Sequence, residues 1–233
     1  MKENNSSTIR IKSGLSKRLK IKILIITLAL IFVGYDIFVI IDNHNRDLRH
    51  KALIAKIKGL DNNSNIKIPT PKTPDNYLKN YNVPDRDPKF IVIPKINVNT
   101  RVISTGINKS NEIGVPPDSI ETAWYRNSSL PGNPGATFID GHVMGWDLPG
   151  VFYNLKKLVP GDKIQIVTGN NKTFTYIVQK LIFYDHNAVD MNQALTPFNS
   201  KVSGLNIMTC AGGFINKGTA FSERLVVFSN LQT

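Results

Sequence analysis

Cys210 is the only thiol in a chain of 233 residues, and its setting is suggestive. It ends the apolar run GLNIMTC (204–210) and is followed at once by Ala211-Gly212-Gly213, so the pattern predicts a strand that runs out into a loop where the thiol appears. A side chain at such a strand end is rigidly held and still reachable by a substrate. The thiolate is the reactive form, and a free cysteine has a pKa of about 8.5, so a nucleophilic Cys210 needs a base or an ion-pair partner. Of four histidines, His44 and His50 precede the β-rich part of the chain, and His186 follows Tyr184-Asp185 in a long connection. His142 closes the run ATFIDGH (136–142) behind Gly141, the same kind of strand end as Cys210. Acyl transfer also needs a group that stabilises charge on the attacked carbonyl oxygen. Arg224, the only charge in RLVVFSNL (224–231), is expected at a strand start, where its guanidinium could bond an oxyanion or substrate carbonyls while staying charged. Thr209 falls on the opposite pleat from Cys210, where its hydroxyl or backbone could help hold the site.

Each residue also has a plainer reading. Free cysteine is among the most buried residue types, a lone histidine is often structural or at the surface, and a strand-start arginine is often a solvated edge charge. The matched placement of Cys210 and His142 favours chemistry, because strand ends 68 residues apart can meet across one rim of a barrel. A single cysteine excludes a disulfide scaffold and any all-Cys zinc site. No cluster of histidines and carboxylates has metal-ligand spacing, so neither a metal nor a cofactor is expected.

The elements that must position these residues are short. From Lys89 onward, β-branched and aromatic runs alternate with Gly, Pro, Asn and Asp: FIVIPKI (90–96), TRVIS (100–104), TAWYR (122–126), ATFIDGH (136–142), DKIQIVTG (162–169), KTFTYIVQKLIFYD (172–185), GLNIMTC (204–210) and RLVVFSNL (224–231). Eight strands with few helices predict a mainly β fold, a closed or nearly closed barrel. VFYNLKKL (151–158) is the clearest short helix, stopped by Pro160-Gly161, and 190–200 allows another helical turn.

The net charge of +12 would raise nucleic-acid binding, but residues 1–88 carry +8 of it, and no nucleic-acid-binding motif accompanies it. No nucleic-acid partner is expected. Residues 23–41, ILIITLALIFVGYDIFVII, follow seven Lys+Arg and read as one transmembrane span, with Asp36 near its outer end. The run exceeds the 7–15 apolar residues of a signal peptide's h-region and is followed by DNHNRDLRHK, with no small-x-small cleavage site. The charge bias places the N-terminus inside. The expected organisation is therefore a cytoplasmic basic tail (1–22), an anchor (23–41), an extracellular stalk (42–88) and a catalytic domain (89–233). A short stalk helix is expected at 49–60, and the polar, Pro-rich remainder reads as an extended spacer.

Taken in order, the F-I-D-G-H strand end, F-x-x-L-x-x-L-x-x-G-D (Phe152 to Asp162), T-C at a strand end and R-L-V-V opening the last strand resemble a sortase, the membrane-anchored cysteine transpeptidase of Gram-positive bacteria. The resemblance covers residues 89–233, and IPKINVNTRV (93–102) with AWYRNSSLPGNPGATFIDGHV (123–143) is most like the class F single-domain sortases, with class E or D next. The stretch GGFINKGTAFSE between Cys210 and Arg224 is longer than in the simplest sortases.

The resemblance implies an eight-stranded barrel in which Cys210 attacks the threonine carbonyl of an LPxTG-like sorting signal. It further implies that His142 protonates the departing glycine amine and that Arg224 holds the signal and the oxyanion. The partners it implies are sorting-signal proteins and an amine acceptor, such as a peptidoglycan cross-bridge or a pilin lysine, at the membrane. Two other classes stay open on the residues alone: a different cysteine hydrolase, and a membrane-anchored non-catalytic β-domain for adhesion or ligand binding in which Cys210 is buried.

Overall fold

The computed structural model of the protein describes residues 17–61, 70–71, 73–145, 148–215 and 220–233. Most of the expected basic tail (1–16), the Asn/Ser-rich part of the stalk (62–69) and the tip between the last two expected strands (216–219) lie outside the described residues. The chain divides into two compact units, Met1–Ala52 and Leu53–Thr233. Helix α1 runs Lys17–Asp61. Its segment Ile21–Asp42, 22 residues of mean hydropathy 2.7 with none of it buried, is long and apolar enough to cross a membrane. The helix expected separately at 49–60 is a continuation of α1, since no proline or glycine interrupts the chain between Asp42 and Lys58.

The second unit holds a closed barrel of eight strands: β1 (Pro88–Ile93), β2 (Val98–Thr105), β3 (Thr122–Tyr125), β4 (Ala136–Gly141), β5 (Lys163–Thr168), β6 (Thr173–Asp185), β7 (Gly204–Ile215) and β8 (Ala220–Leu231). Their order is β1-β2-β3-β4-β7-β8-β6-β5, and β1 pairs with β5 to close the ring. The β2–β3 and β4–β7 pairs are parallel. Ile91, Ile93, Ile164, Ile166, Leu205, Ile207, Leu225 and Val227 fill the interior with little or no exposure, as period-2 alternation requires.

Two strands do not alternate. Every residue of β4 is buried, as is the stretch Leu225–Ser229 of β8. A second apolar cluster explains this: Phe138, Val226 and Phe228 point away from the interior and pack with Ala194 beneath the β6–β7 connection. A strand covered on both faces reads as a continuous apolar run, which is why R-L-V-V-F lacks a polar stripe.

Strand ends differ from the sequence expectation for local reasons. β1 stops at Ile93 because Pro94 has no N–H for the ladder and opens a 3-10 turn to Ile96. β7 does not end at Cys210, and β8 begins before Arg224. The pair continues as a hairpin, with the register slipping between Ala211 and Phe214. Gly212 makes the slip possible: its φ is +76°, and a Cβ there would lie 2.3 Å from Ser222 Oγ. The helix expected over 151–158 is only a 3-10 turn, Leu155–Lys157, since Pro149-Gly150 and Pro160-Gly161 leave little room. The 190–200 connection does hold a helical turn, α3 (Met191–Ala194), capped by Asp190, whose Oδ1 accepts the Gln193 N–H at 3.0 Å.

Residues 70–71 and 73–88 lie against the barrel. Thr73 is buried, and the short helix α2 (Asp75–Leu78) brings Tyr77 Oη to donate to Asp118 Oδ2 at 2.9 Å. Tyr81 Oη donates to the Val102 carbonyl at 2.7 Å. The Arg101 guanidinium lies 4.6 Å from the Tyr77 ring centroid and 5.4 Å from that of Tyr81, and it pairs with the buried carboxylate of Glu121.

Candidate active site

The pairing of β7 with β8 sets Cys210 directly opposite Arg224, and Met208 opposite Val226. Cys210 and Arg224 share one face and line a groove of about 660 Å³. One wall is the β2–β3 connection, with Ile107, Ile113 and Val115, and the other is the β6–β7 connection, with Val189, Met191 and Leu195. Those walls also cover the outer face of β4 and β8, so the two-sided burial of those strands and the groove have one cause.

Cys210 is partly buried. Burial pushes its thiol above the ordinary value, the Arg224 charge pulls it back, and Asp140 pushes it further up. Arg224 Nη1 donates to the carbonyls of Phe221 at 3.3 Å and Glu223 at 3.0 Å. Nη2 and Nε are not engaged by any described residue, so the guanidinium is anchored through one nitrogen and keeps donors for a ligand.

His142 follows the end of β4. The β4–β7 ladder pairs Asp140 with Met208, so two residues further along each strand stand His142 and Cys210. Thr209 Oγ1 ties the two strand ends together by donating to the Gly141 carbonyl at 2.7 Å. Gly141 is required for close packing: a Cβ would meet the Phe152 ring at 2.5 Å, and Phe152 N–H donates to the His142 carbonyl at 2.9 Å. The F-x-x-L segment thus sets the backbone of the G-H pair. His142 Nε2 lies 2.8 Å from the Pro116 carbonyl. A carbonyl only accepts, so Nε2 carries a hydrogen and Nδ1 is the nitrogen left for proton transfer. The structure brings Cys210 and Arg224 together in the groove; His142 does not line it, and among the described residues no hydrogen bond joins it to Cys210.

The groove also holds His186, which the sequence places in a long connection, and Asp140, which the sequence reading missed. His186 lines the groove, with Nδ1 3.3 Å from Asp185 Oδ1 and its backbone N–H on the Ser222 carbonyl. Asp140 is only 7% exposed, and its Oδ1 accepts the Gly141 N–H at 2.7 Å. Burial pushes its carboxyl from 3.8 up to about 7, against the pull of that N–H and of Arg224. The signal for Asp140 was present in ATFIDGH: a lone acid in an otherwise apolar strand, on the same pleat as Phe138.

Residues 91–232 match the model of the sortase domain family. The chain belongs to the sortase family. Among solved structures this sortase is similar to sortase C1 from Streptococcus agalactiae, at 20% identity over 67% of this chain and 74% of that one, with a TM-score of 0.50. It is also similar to the sortase D5 transpeptidase of Clostridium perfringens (24% identity, 63% and 79% covered, TM-score 0.46). A further likeness is to sortase E1 from Streptomyces coelicolor, solved with a tripeptide in the active site (20% identity, 65% and 91% covered, TM-score 0.47). No curated protein matches the chain.

Proposed function

We propose that the protein is a membrane-anchored cysteine transpeptidase that cleaves an LPxTG-like sorting signal and transfers the cleaved protein to an amine. The observation that carries this reading is the Cys210–Arg224 pair facing one groove in a sortase barrel. The groove's aliphatic walls suit an extended peptide with an apolar side chain, and Arg224 supplies donors where the scissile carbonyl would lie.

In this mechanism Cys210 Sγ, having given its proton to His142, forms a bond to the threonine carbonyl carbon, and the oxygen takes up negative charge beside Arg224. Collapse breaks the Thr–Gly bond, and His142 protonates the departing amine. The thioacyl-enzyme is then attacked by an acceptor amine of a peptidoglycan cross-bridge or a pilin lysine. The amine's proton passes to His142 and returns to the leaving Cys210 thiolate. Because burial raises the thiol, Cys210 rests protonated at neutral pH and is activated only with a partner in place.

The anchor is the apolar segment of α1, with the N-terminus inside and the barrel outside; protease added to intact cells should remove the barrel, and a protected barrel would reverse the orientation. In the stretches 93–102 and 123–143 the enzyme resembles class F most. The deciding experiment incubates the detergent-solubilised chain with a panel of LPxTG-type peptides, with and without an amine. A thioacyl adduct on Cys210 that the amine resolves into a ligated product is expected. A thiol inert to both peptides and alkylating reagents would instead favour the non-catalytic binding domain.

A further inference from the structure

Three adjacent strands put three ionisable groups on one face. Asp140 of β4 is level with Met208 of β7; Cys210 follows two residues on, on the same pleat; Arg224 of β8 is level with Cys210. All three line the groove. One guanidinium therefore serves two acids, a thiol and a carboxyl, and full charge compensation is open to only one of them at a time.

We propose that Asp140 is a positioning residue that competes with the Cys210 thiolate for Arg224, so that the competent enzyme is the one in which Asp140 keeps its proton. This rests on Cys210 being the nucleophile, as proposed above. When Asp140 is ionised, it draws on the Arg224 charge and repels a thiolate beside it. Protonated, it leaves the guanidinium to the thiolate and to the oxyanion that follows. A peptide seated between the two walls excludes water, which sharpens the competition.

Four other ionisable groups stand near this place. Tyr125 lines the groove from β3, Glu112 from the β2–β3 connection and His186 from the β6–β7 connection, while His142 follows on Asp140's own strand. Glu112 Oε2 accepts from Asn108 Nδ2 at 3.0 Å, His186 stands beside Asp185, and His142 is bonded to Pro116. Among the described residues Asp140 has no side-chain hydrogen-bond partner: its Oδ1 accepts the Gly141 backbone N–H, and the charge acting on it is that of Arg224. Its carboxyl, held at about 7, is mostly protonated below neutrality and mostly ionised above it, so both states are populated under ordinary conditions.

The test is the rate of Cys210 alkylation by iodoacetamide between pH 5 and 9, in the detergent-solubilised full chain, for wild type and Asp140→Asn. Asparagine is neutral, keeps the shape and still accepts from Gly141. The variant should match wild type near pH 5 and alkylate about 5–10-fold faster near pH 8, its thiol titrating about 1 pH unit lower. Asp140→Glu, which keeps the charge, should stay within about twofold of wild type. Asp140→Ala, also neutral, should show the same acceleration if the asparagine variant fails to fold. In an Arg224→Ala background the gain from Asp140→Asn should shrink, because the contested charge is gone. Superimposed wild-type and asparagine profiles, or a slower variant, would overturn the inference. Alkylation does not depend on any sorting signal, so the expected profiles without ligation of any peptide would count against the proposed function and not against the role of Asp140.

Discussion

Replacing Asp140 by asparagine should stabilise the barrel, by an amount that depends on pH. The carboxyl is 7% exposed and is pushed from 3.8 up to about 7, chiefly by burial. Below pH 3.8 the folded and unfolded chains both hold its proton, and the group adds no pH dependence. Between about 4 and 7 the unfolded chain has released the proton and the folded chain has not. The folded state then binds more protons, so stability falls as pH rises; above about 7 the loss is constant. At about 1.36 kcal/mol per unit of pKa, the loss reaches roughly 4 kcal/mol as an upper bound, and about 2–4 kcal/mol once relaxation of the groove is allowed for. An amide in place of the carboxyl carries no such loss. For a domain of this size, the variant should melt about 5–12 °C above wild type at pH 8 and within about 2 °C of it at pH 4. Cys210, also raised by burial, starts from a higher ordinary value and leaves this window clear. Melting curves of both proteins across this pH range would measure the difference. A difference that stays flat from about pH 4 to 8 would refute the reasoning, since it would mean that Asp140 titrates as a solvated carboxyl.

Three further outcomes are expected. His142→Ala should lower turnover by roughly 10²–10⁴-fold, whereas His186→Ala, at the groove wall, should be read in KM with kcat within a few-fold; steady-state kinetics on both variants decide which histidine moves the proton. Arg224→Lys should recover only part of the roughly 10²–10³-fold loss of Arg224→Ala, because an ammonium lacks the planar fork, and the rate of thioacyl formation measured by mass spectrometry reports the affected step. Tyr77→Phe should lower the denaturant midpoint by removing the Asp118 bond, and a chain shortened to begin at Lys89 should unfold at lower denaturant than one that begins at Thr70.

Much of the barrel was legible because strand formation is written in local pattern: β-branched runs bounded by Gly, Pro and Asn mark all eight strands to within a few residues at most ends. What pattern could not give is depth of cover. The β6–β7 and β2–β3 connections read as loops, yet they pack Ile113, Val189 and Met191 over the outer face of β4 and β8. That cover buries Asp140 and admits His186 to the groove, and neither consequence follows from spacing within a strand. The same holds for residues 70–88. Their prolines predict an extended spacer, but the stretch holds the short helix Asp75–Leu78, and Tyr77 and Tyr81 find Arg101, which lies in β2, about twenty residues along. The hairpin beyond Cys210 was missed for the opposite reason: Ala-Gly-Gly is a loop signal locally, and only the partner strand shows that Gly212 makes a bulge within a continuing ladder.

The connection between β2 and β3 joins three functions that the sequence keeps apart. Its Pro116 carbonyl fixes the tautomer of His142, its Ile107, Ile113 and Val115 form a wall of the groove, and its Asp118 holds Tyr77 of the segment leading into the barrel. Gly106 and Gly114 close its base through an N–H to carbonyl bond of 2.9 Å, and Asn108 accepts the backbone N–H groups of Ser110 and Glu112, so the excursion is braced internally as well. A displacement of this connection therefore reaches the histidine and the groove wall together, whereas the placement of Cys210 opposite Arg224 is fixed by the β7–β8 ladder. The division has a kinetic signature. In the proposed mechanism, perturbing the connection moves KM and the proton-transfer step and reaches the thiol only through the cover it gives Asp140, whereas perturbing the ladder moves the thiol directly.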